Sequence, residues 1–373
     1  MPELPEVETV KRVLEPQIRG LTIREVLINR PEVIAHPGTD AFCRLLTGQK
    51  VSGITRRGKF LKIVLDSGDH VILHLRMTGC LLLTPADLPE ERHTHIVLRL
   101  SSGKELRFFD TRRFGRFWLL QKEEADSYSG IGKLGLEPFD TELTAAYLTD
   151  RFGKRRKAIK ECLLEQTVVA GIGNIYSDEI LFTAGIYPAR PANSLRPKEW
   201  ERLAAVIPER LTYFTEKNRL TPEEYLETKG QEYRNTPFLQ VYGHEGKPCP
   251  SCGEILRRIV VGGRSSVYCP SCQKNLLLEY IRATGEHAEQ VFALVQKTIT
   301  AIYPRYYPAE VVKFFCELHN KEQIRQDIEK GNVSVLFLNH KLIGTGSCQE
   351  NHITRVYVDP AYQGKGYGSF LMQ

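Results

Sequence analysis

Four cysteines in the second half of the sequence have the spacing of a metal site. They form two matched Cys-Pro-Ser-Cys pairs, sixteen residues apart, at Cys249, Cys252, Cys269 and Cys272. Two such pairs place four thiolates at the corners of a tetrahedron, the geometry that Zn²⁺ accepts in structural sites. A redox dithiol fits less well because there are two matched pairs. A closed site has no open coordination position, so we expect one zinc ion that folds a small hairpin and does not catalyse.

The segment between the two pairs, RRIVVGGRSSVY, is the predicted hairpin, with Arg264 near its tip. An isolated arginine at a turn is usually only solvated. A basic hairpin made rigid by zinc is also a common way to reach nucleic acid. The sequence leaves both interpretations of Arg264 open.

The first ten residues, MPELPEVETV, hold a second group of chemically capable side chains. Pro5 and the glutamates at positions 6 and 8 suit the start of a helix, where proline is tolerated and acids favour the positive end of the dipole. Helix initiation does not explain a proline directly behind the initiator methionine. Pro2 therefore needs another explanation.

Basic clusters and one helix start indicate contact with a polyanion. The net charge is +6, and basic residues cluster at Arg56–Lys59, Arg112–Arg113 and Lys154–Lys157. A solvated surface also produces such clusters, so charge alone leaves a nucleic-acid partner undecided. Asn174 begins a predicted helix after the glycine turn AGIG, where it is either an ordinary cap or a phosphate contact. The 154–157 cluster and Lys160 favour the second interpretation.

The elements that must position these residues are predicted to form four domains. Short alternating strands run from about residue 21 to 120 behind a leading helix at residues 5–19, and helical periodicity begins after Pro138. We expect a multi-domain α+β protein with an N-terminal β-sandwich, although a mixed α+β sheet is left open. The predicted domain boundaries are 1–135, 136–225, 226–274 and 285–373.

Composition excludes several classes of protein. The sequence has no run of 18 or more apolar residues, and its N-terminus is acidic where a signal peptide would be basic. We expect a cytoplasmic protein with no membrane partner, whose nine cysteines are thiols or metal ligands. Residues 218–248 are polar and irregular, which predicts a functional or mobile loop.

Sequence blocks in a fixed order resemble the formamidopyrimidine-DNA glycosylase family. They are MPELPEVETV, RRGKFL, HLRMTG, FDTRRFG, VAGIGNIYSDEILFTAGIYP, VYGHEGKPCPSCG and the final Cys-x-x-Cys, and they cover roughly residues 1–274. The related endonuclease eight branch is not expected to show HLRMTG together with TRRFG. The resemblance implies a helix-two-turn-helix DNA-binding domain that carries the zinc hairpin. It also implies a monomeric base excision repair enzyme, a glycosylase and AP lyase that acts on duplex DNA containing 8-oxoguanine or formamidopyrimidines.

The resemblance assigns catalytic roles to five residues. Once the initiator methionine is removed, Pro2 is a secondary amine that attacks C1′ of a deoxyribose and forms a Schiff base. Glu3 is the implied general acid/base, and Lys59 is the implied acid for β-elimination. Arg264 would serve the δ-elimination, and Glu6 would help to organise the site around the sugar.

The resemblance also implies which residues fill the gap that an extruded nucleotide leaves in the duplex. Met77 and Phe114 would replace the lost stacking, and Arg112 would hydrogen-bond the orphaned cytosine. These three residues are the predicted wedge. Without the family context, Met77 and Phe114 would be core residues, and so would the strand histidines. The implied phosphate contacts are His74, His93, Arg155, Lys160 and Asn174.

Three features depart from the family pattern. The loop at residues 220–242, which should cap the extruded base, follows no pattern that ranks the lesions. His244 stands where arginine is usual, and Thr78 follows the wedge methionine. We expect both to alter affinity without removing the chemistry.

The residues after the last cysteine pair resemble a different family. The strand ITRVYV runs into a loop with Gln363, Gly364, Gly366 and Gly368, where backbone amides can approach a pyrophosphate. This pattern resembles the GCN5-related N-acetyltransferases, whose acetyl-CoA would bind at the loop. Because the sequence stops at Gln373, we expect a partial α/β acetyltransferase-like fold that is inactive and binds no measurable acetyl-CoA.

Two further functions remain open on the sequence alone. A non-catalytic protein could sense DNA damage with the same wedge and zinc finger, although the intact Pro2, Glu3 and Lys59 argue against it. Alternatively, the glycosylase-like part could deliver a working acetyltransferase to DNA.

Overall fold

The computed structural model describes residues 2–275, 278–350 and 352–372. The predicted removal of Met1 and the predicted end of the tail at Gln373 concern residues outside this description. Among the residues described, no helix is both long and apolar enough to cross a membrane.

The N-terminal part contains nine strands in two sheets. They are β1 (Ile23–Ile28), β2 (Ile34–His36), β3 (Val51–Arg57), β4 (Phe60–Leu65), β5 (His70–His74), β6 (Cys80–Pro85), β7 (Thr94–Leu100), β8 (Lys104–Phe109) and β9 (Arg116–Leu120). One sheet has the order β1-β7-β8-β6 and the other β2-β9-β5-β4-β3. Apolar side chains of both sheets share one core with the leading helix α1 (Leu4–Ile18). The predicted β-sandwich with a leading helix is confirmed.

One helix of this part was not predicted. Helix α2 (Thr39–Leu46) lies between β2 and β3 and buries Phe42 and Leu46. An eight-residue segment with two buried apolar residues gives too little periodicity to separate a helix from the surrounding strands.

Four helices follow Pro138 where helical periodicity predicts them. They are α3 (Ala145–Phe152), α4 (Ile159–Leu163), α5 (Asn174–Ala184) and α6 (Pro197–Lys217). Helix α5 is buried on nearly every side, including its residues Ser177, Asp178 and Glu179. A helix in that position must satisfy its polar side chains inside the protein. The segment predicted to be irregular contains one short helix, α7 (Pro222–Glu227).

The cysteine segment forms the predicted hairpin. Strands β10 (Arg257–Val261) and β11 (Arg264–Tyr268) pair antiparallel. The turn between them is Gly262-Gly263, with φ values of +56° and +75°. Left-handed backbone at both turn positions suits a two-residue hairpin turn, and glycine adopts it without strain.

The tail forms a four-stranded antiparallel sheet with helices packed on it, which agrees with the predicted α/β fold. Its strand order is the chain order from β12 to β15. The elements are β12 (Leu278–Arg282), α8 (Ala288–Ile302), α9 (Ala309–Leu318), α10 (Lys321–Glu329), β13 (Val333–Leu338), β14 (Lys341–Gln349), β15 (His352–Val358) and α11 (Tyr367–Leu371).

Candidate functional site

The N-terminus of helix α5 receives the first residues of the chain. The Glu3 carboxylate accepts hydrogen bonds from the amides of Gly173 at 2.8 Å, Ile175 at 2.9 Å and Tyr176 at 3.3 Å. The first amides of a helix have no partner within the helix, so they stabilise a buried carboxylate. This contact positions Glu3 and its neighbour Pro2, which is also buried.

Lys59 approaches the same helix from the sandwich. It lies in the turn between β3 and β4, and Glu137 holds that turn in place. Glu137 Oε1 accepts from the Gly58 amide at 2.6 Å and from Arg57 Nη1 at 3.0 Å, and its Oε2 lies 2.8 Å from Arg56 Nη2. The Lys59 side chain is consequently held in a buried position.

Glu3 and Lys59 affect each other's protonation. Burial raises the pKa of Glu3, and Lys59 partly opposes that shift. Burial lowers the pKa of Lys59, and Glu3 partly opposes it. Gly173 leaves room for both groups, because a β-carbon there would lie 2.3 Å from Glu3 Oε1 and 2.6 Å from Lys59 Nζ. Both pKa values shift toward neutrality, which suits proton transfer.

Glu6 joins three segments of the chain beside Glu3. Its Oε2 accepts from the Glu3 amide at 2.9 Å, and its Oε1 accepts from the Tyr176 hydroxyl and from Asn235 Nδ2, the latter at 2.8 Å. Burial raises the pKa of Tyr176 well above its ordinary value, so the phenol keeps its proton and remains a donor. Glu6 therefore connects the N-terminus, helix α5 and the predicted capping loop, and its role around the sugar stays a prediction.

A buried ion pair fixes the zinc hairpin to helix α5. Lys160 Nζ lies 2.6 Å from Asp178 Oδ1 and donates to the Ser265 carbonyl at 2.9 Å. Asp178 also accepts from the next two residues of β11, a hydroxyl at 2.6 Å and an amide at 3.0 Å. These bonds hold the strand that begins with Arg264.

The structure contradicts the prediction that Lys160 contacts a phosphate. Its side chain is fully buried, and its amine is engaged by Asp178 and Ser265. An unpaired buried charge is costly, which is why the amine lies against a carboxylate. The prediction failed because a basic cluster in a sequence does not show which members are buried. Lys160 positions the hairpin instead.

We expect Asp178→Asn to lower the free energy of unfolding by about 3–5 kcal/mol, because it leaves the Lys160 charge buried and unpaired. Urea-induced unfolding measures this loss. A double variant, Lys160→Met with Asp178→Leu, removes both charges and should be less destabilised than Asp178→Asn. A loss below about 1 kcal/mol for Asp178→Asn would show that the pair does not hold the hairpin.

A cavity of about 550 Å³ brings predicted catalytic and wedge residues together. Its lining includes Lys59, His74, Met77, Phe114 and Arg264. Burial lowers the pKa of His74 to about 3, so its imidazole is neutral. Its Nδ1 accepts from the amide two residues later at 2.9 Å, so Nε2 carries the proton of the neutral ring and is its donor.

The three predicted wedge residues form one exposed cluster. Met77 is 42% and Phe114 47% exposed, so neither belongs to the core. Arg112 Nη1 lies 2.9 Å from Met77 Sδ, and its guanidinium carbon lies 4.8 Å from the Phe114 ring centroid. Asp110 Oδ1 accepts from the Arg112 amide at 3.1 Å and the Thr78 hydroxyl at 2.5 Å. Thr78 thus helps to join the two wedge loops.

The other predicted contacts lie outside this cavity. His93 is half-buried, with its ring 5.9 Å from that of Phe109. Arg155 forms an ion pair with Glu165, and Asn174 is the half-buried first residue of α5. The predicted cofactor loop, residues 363–368, comes after β15 and continues into the first turn of α11. The phosphate contacts of His93, Arg155 and Asn174 stay predictions, and none of the three lines the cavity that holds Lys59 and Arg264.

Sequence reasoning missed the acids that α5 buries. Glu179 accepts from the backbone amides of residues 240–242, each at 2.9 Å, and so fixes the end of the predicted capping loop. Asp178 fixes the hairpin. The available signal was an Asp-Glu pair within an apolar helix, because charged residues are rarely buried without an internal partner.

The four predicted zinc ligands converge at the base of the hairpin. Their Sγ atoms all lie within 4.8 Å of one another, with Cys249 and Cys272 at 3.9 Å and Cys252 and Cys269 at 3.4 Å. A tetrahedral site with Zn–S bonds of about 2.3 Å has sulfurs about 3.8 Å apart. The four thiols fit one structural zinc ion.

Removing the metal with a chelator should unfold the hairpin and weaken binding to duplex DNA at least about tenfold, because a structural zinc supplies the folding free energy of so small a unit. Proteolysis within residues 249–272 and a fluorescence binding assay measure the two effects. Cys252→Ser should lose the metal, whereas Cys348→Ser, an exposed cysteine outside the cluster, should retain it. Full DNA affinity in the metal-free protein would contradict this role.

Comparisons with known proteins cover nearly the whole chain. Residues 1–117 match the formamidopyrimidine-DNA glycosylase N-terminal domain, and residues 134–221 match its H2TH domain. Residues 246–275 match a zinc finger found in FPG and IleRS. Residues 302–373 match an acetyltransferase (GNAT) domain, so the resemblance of the tail is confirmed at the level of the family.

Relatives and solved structures match the first three quarters of the chain. The formamidopyrimidine-DNA glycosylase of Pelotomaculum thermopropionicum is 44% identical over 274 residues, which cover 74% of this chain and 99% of the relative. The formamidopyrimidine-DNA glycosylase of Geobacillus kaustophilus is 46% identical over 275 residues, which cover 74% of this chain and 100% of the relative. A structure of MutM in complex with carbocyclic 8-oxo-G containing DNA has a TM-score of 0.67 at 36% identity, and covers 74% of this chain and 100% of its own. The Lactococcus lactis FPG (MutM) complex with FAPY-dG containing DNA has a TM-score of 0.67 at 34% identity. The match covers 73% of this chain and 100% of the Lactococcus lactis chain. The chain therefore belongs to the formamidopyrimidine-DNA glycosylase family and continues into a GNAT domain.

Proposed function

We propose that the protein is a bifunctional DNA glycosylase and AP lyase of base excision repair. The observation that carries this proposal is that Glu3, which directly follows Pro2 in the chain, and Lys59 both lie against Gly173. The solved complexes of its relatives contain 8-oxo-G and FAPY-dG. We therefore take oxidised purines in duplex DNA as the substrate class, and the cytoplasm, where chromosomal DNA lies in bacteria, as the site of action.

The proposed reaction starts at the N-terminal amine. An α-amino pKa near 8 leaves roughly a tenth of Pro2 neutral at pH 7. Its nitrogen attacks C1′, the bond from C1′ to the base breaks, and the base leaves with a proton. Glu3 transfers a proton to the ring oxygen as the sugar opens, and the amine loses its own proton to give an iminium with C1′.

Strand cleavage then follows from the iminium. Loss of a proton from C2′ to a base forms the C2′–C3′ double bond and breaks the bond from C3′ to the 3′ phosphate, and Lys59 donates a proton to the departing phosphate oxygen. In a second elimination a proton leaves C4′ and the bond from C5′ to the 5′ phosphate breaks. Arg264, on the zinc hairpin, stabilises the charge of the departing phosphate. Water then hydrolyses the iminium, which breaks the bond between C1′ and Pro2, regenerates the amine and releases the open sugar from a one-nucleotide gap. Lys59 and Arg264 line the same cavity, so both can act on one extruded nucleotide.

The exposed wedge residues explain how the duplex tolerates extrusion. Met77 and Phe114 present apolar surface where the base would leave, and base–aromatic stacking contributes about 1–3 kcal/mol. Arg112 lies between them and can donate to the unpaired cytosine. Its guanidinium supplies the donors that an orphaned base edge requires.

The proposal is tested on a labelled duplex with one 8-oxoguanine opposite cytosine. Zinc-loaded protein should release the base and leave phosphates on both sides of a one-nucleotide gap. Pro2→Gly should do neither, whereas Pro5→Ala, which changes only the helix start, should remain active. Binding of the lesion without release or cleavage by the zinc-loaded wild type would instead identify a damage-binding protein.

The lowered pKa of Lys59 predicts a pH limit for strand cleavage. Because Lys59 loses its proton below the ordinary lysine pKa of about 10.4, cleavage of a preformed abasic site should decline on the alkaline side well before that pH. Lys59→Arg should move this decline to higher pH, since guanidinium keeps its proton. Single-turnover rates against pH measure both profiles, and an alkaline limb that Lys59→Arg leaves in place would assign it to another group.

A further inference from the structure

Helix α9 in the tail is apolar around most of its circumference, yet none of its residues is buried. Val312, Phe315 and Cys316 are half-buried against the core of the tail. Another side of the helix carries Phe314, which is 57% exposed, and Leu318, which is 46% exposed. A helix with apolar residues on several sides is normally covered on all of them. The side with Phe314 and Leu318 therefore lacks a cover among the residues described.

The exposed side forms a continuous apolar stripe. Val311, Phe314 and Leu318 follow one another at spacings of three and four residues. This spacing places side chains on one face of a helix and forms the seam between paired helices. Tyr306 and Tyr307 are exposed just before the helix and lengthen the stripe. Exposed apolar surface of this kind marks an interaction site.

Charged residues border one flank of the stripe. Glu310, Lys313 and Glu317 are all exposed, and Lys313 Nζ lies 3.8 Å from Glu317 Oε1. Two acids and one base make α9 acidic. Helices that lie on membrane surfaces instead carry Lys and Arg along the polar side. The flank therefore favours a protein partner over a lipid surface.

The stripe and its flank are both complementary to a second copy of the same helix. In an antiparallel pair related by a two-fold axis, each flank of a helix faces the same flank of the other copy. An axis near Phe314 places Val311 opposite Leu318 of the other copy. The same axis places Lys313 opposite Glu317 of the other copy. Symmetry produces each contact twice, so two ion pairs would border one apolar seam.

We propose that α9 is a self-association surface through which two copies of the chain form an antiparallel dimer. The implied monomer concerns sequence blocks within residues 1–274, which do not include this helix. A specific, stable interface buries about 800 Å² on each partner. One helix of ten residues with two tyrosines beside it covers less, so we expect the dimer to be reversible. Helix α9 contributes no residue to the glycosylase cavity, so this proposal does not depend on the glycosylase activity.

Analytical ultracentrifugation of the full zinc-loaded chain, at micromolar to submillimolar concentrations, tests the proposal. We expect a reversible dimer of the wild type. Phe314→Ser with Leu318→Ser should weaken dimerisation at least about tenfold, because each copy loses two apolar side chains from the seam. Ile353→Ser removes a similarly exposed apolar side chain from β15 and should dimerise like the wild type. Urea unfolding of each variant checks that it is folded.

Exchanging charges tests the antiparallel register. Lys313→Glu should weaken dimerisation at least about fivefold, because it places like charges opposite each other twice in the dimer. Glu317→Lys should do the same. Lys313→Glu combined with Glu317→Lys should restore the wild-type affinity, since the opposite charges still face each other. A mixture of the two single variants should form a heterodimer for the same reason.

Four results would overturn the proposal. They are a monomer at every concentration, unchanged dimerisation when Phe314 and Leu318 are both serine, no recovery of affinity when the charges are exchanged, and binding of a monomeric wild type to phosphatidylcholine vesicles. The last result would assign the stripe to a membrane surface. Because association is measured without DNA, its outcome is separate from the outcome of the cleavage experiments.

Discussion

Replacing Glu3 by glutamine should slow base release by about 10³-fold, within the range that one general acid/base contributes. Glutamine keeps the size of the side chain but cannot exchange a proton, and its amide cannot accept from all three helix amides that face Glu3. Single-turnover release of 8-oxoguanine from duplex DNA measures the rate. Affinity for a non-cleavable lesion analogue should change little, which separates chemistry from binding.

Glu15→Gln is the matched control, because Glu15 lies on the same helix outside the site. It should retain the wild-type rate. If Glu3→Gln released the base within tenfold of the wild-type rate, proton transfer would have to be assigned elsewhere, and the three hydrogen bonds to Glu3 would have only a structural role.

Gly173→Ala should lower the rate of strand cleavage at least about 100-fold, the loss expected when reacting groups move by about 1 Å. The added methyl would meet the Glu3 carboxylate and lie 2.6 Å from Lys59 Nζ, so one of the two must shift. The backbone at Gly173 has a φ of −128°, which alanine adopts without strain. The effect is therefore steric and local.

Gly132→Ala is the control for this prediction, because a β-carbon at Gly132 would meet nothing within 4 Å. Urea unfolding and zinc content, measured on both variants, distinguish a displaced carboxylate from a general loss of structure. A Gly173→Ala protein that cleaves within threefold of the wild type would show that Glu3 and Lys59 do not need the space that Gly173 leaves for them.

The catalytic and wedge candidates could be predicted because each belongs to a short sequence block. The contacts that hold them join distant residues: Asn235 bonds to Glu6 across 229 positions, and Glu137 to Gly58 across 79. No local pattern reports such a pairing. For the same reason no local pattern predicts that Arg196 Nη1 donates to the Lys365 carbonyl of the tail, 169 residues later.

The failed prediction for Lys160 and the missed role of Glu179 have a common physical origin. In both cases the residue type indicated an exposed charge, whereas the side chain is buried and paired with groups from the hairpin or the capping loop. Helix α5 thus serves as the common support for the N-terminus, the hairpin and the capping loop. Its polar residues belong to a recognisable sequence block, but the block does not show which residues they bond to, because those partners come from other parts of the fold.

Covalent trapping tests the central claim most directly. Zinc-loaded protein is incubated with a duplex containing 8-oxoguanine opposite cytosine in the presence of borohydride, which reduces an iminium to a stable amine. Digestion and mass spectrometry then locate the modified residue. The proposed mechanism predicts a cross-link at the nitrogen of Pro2, in a peptide that has lost the initiator methionine. A cross-link at Lys59 or another lysine, or no cross-link from protein that cleaves the strand, would contradict it.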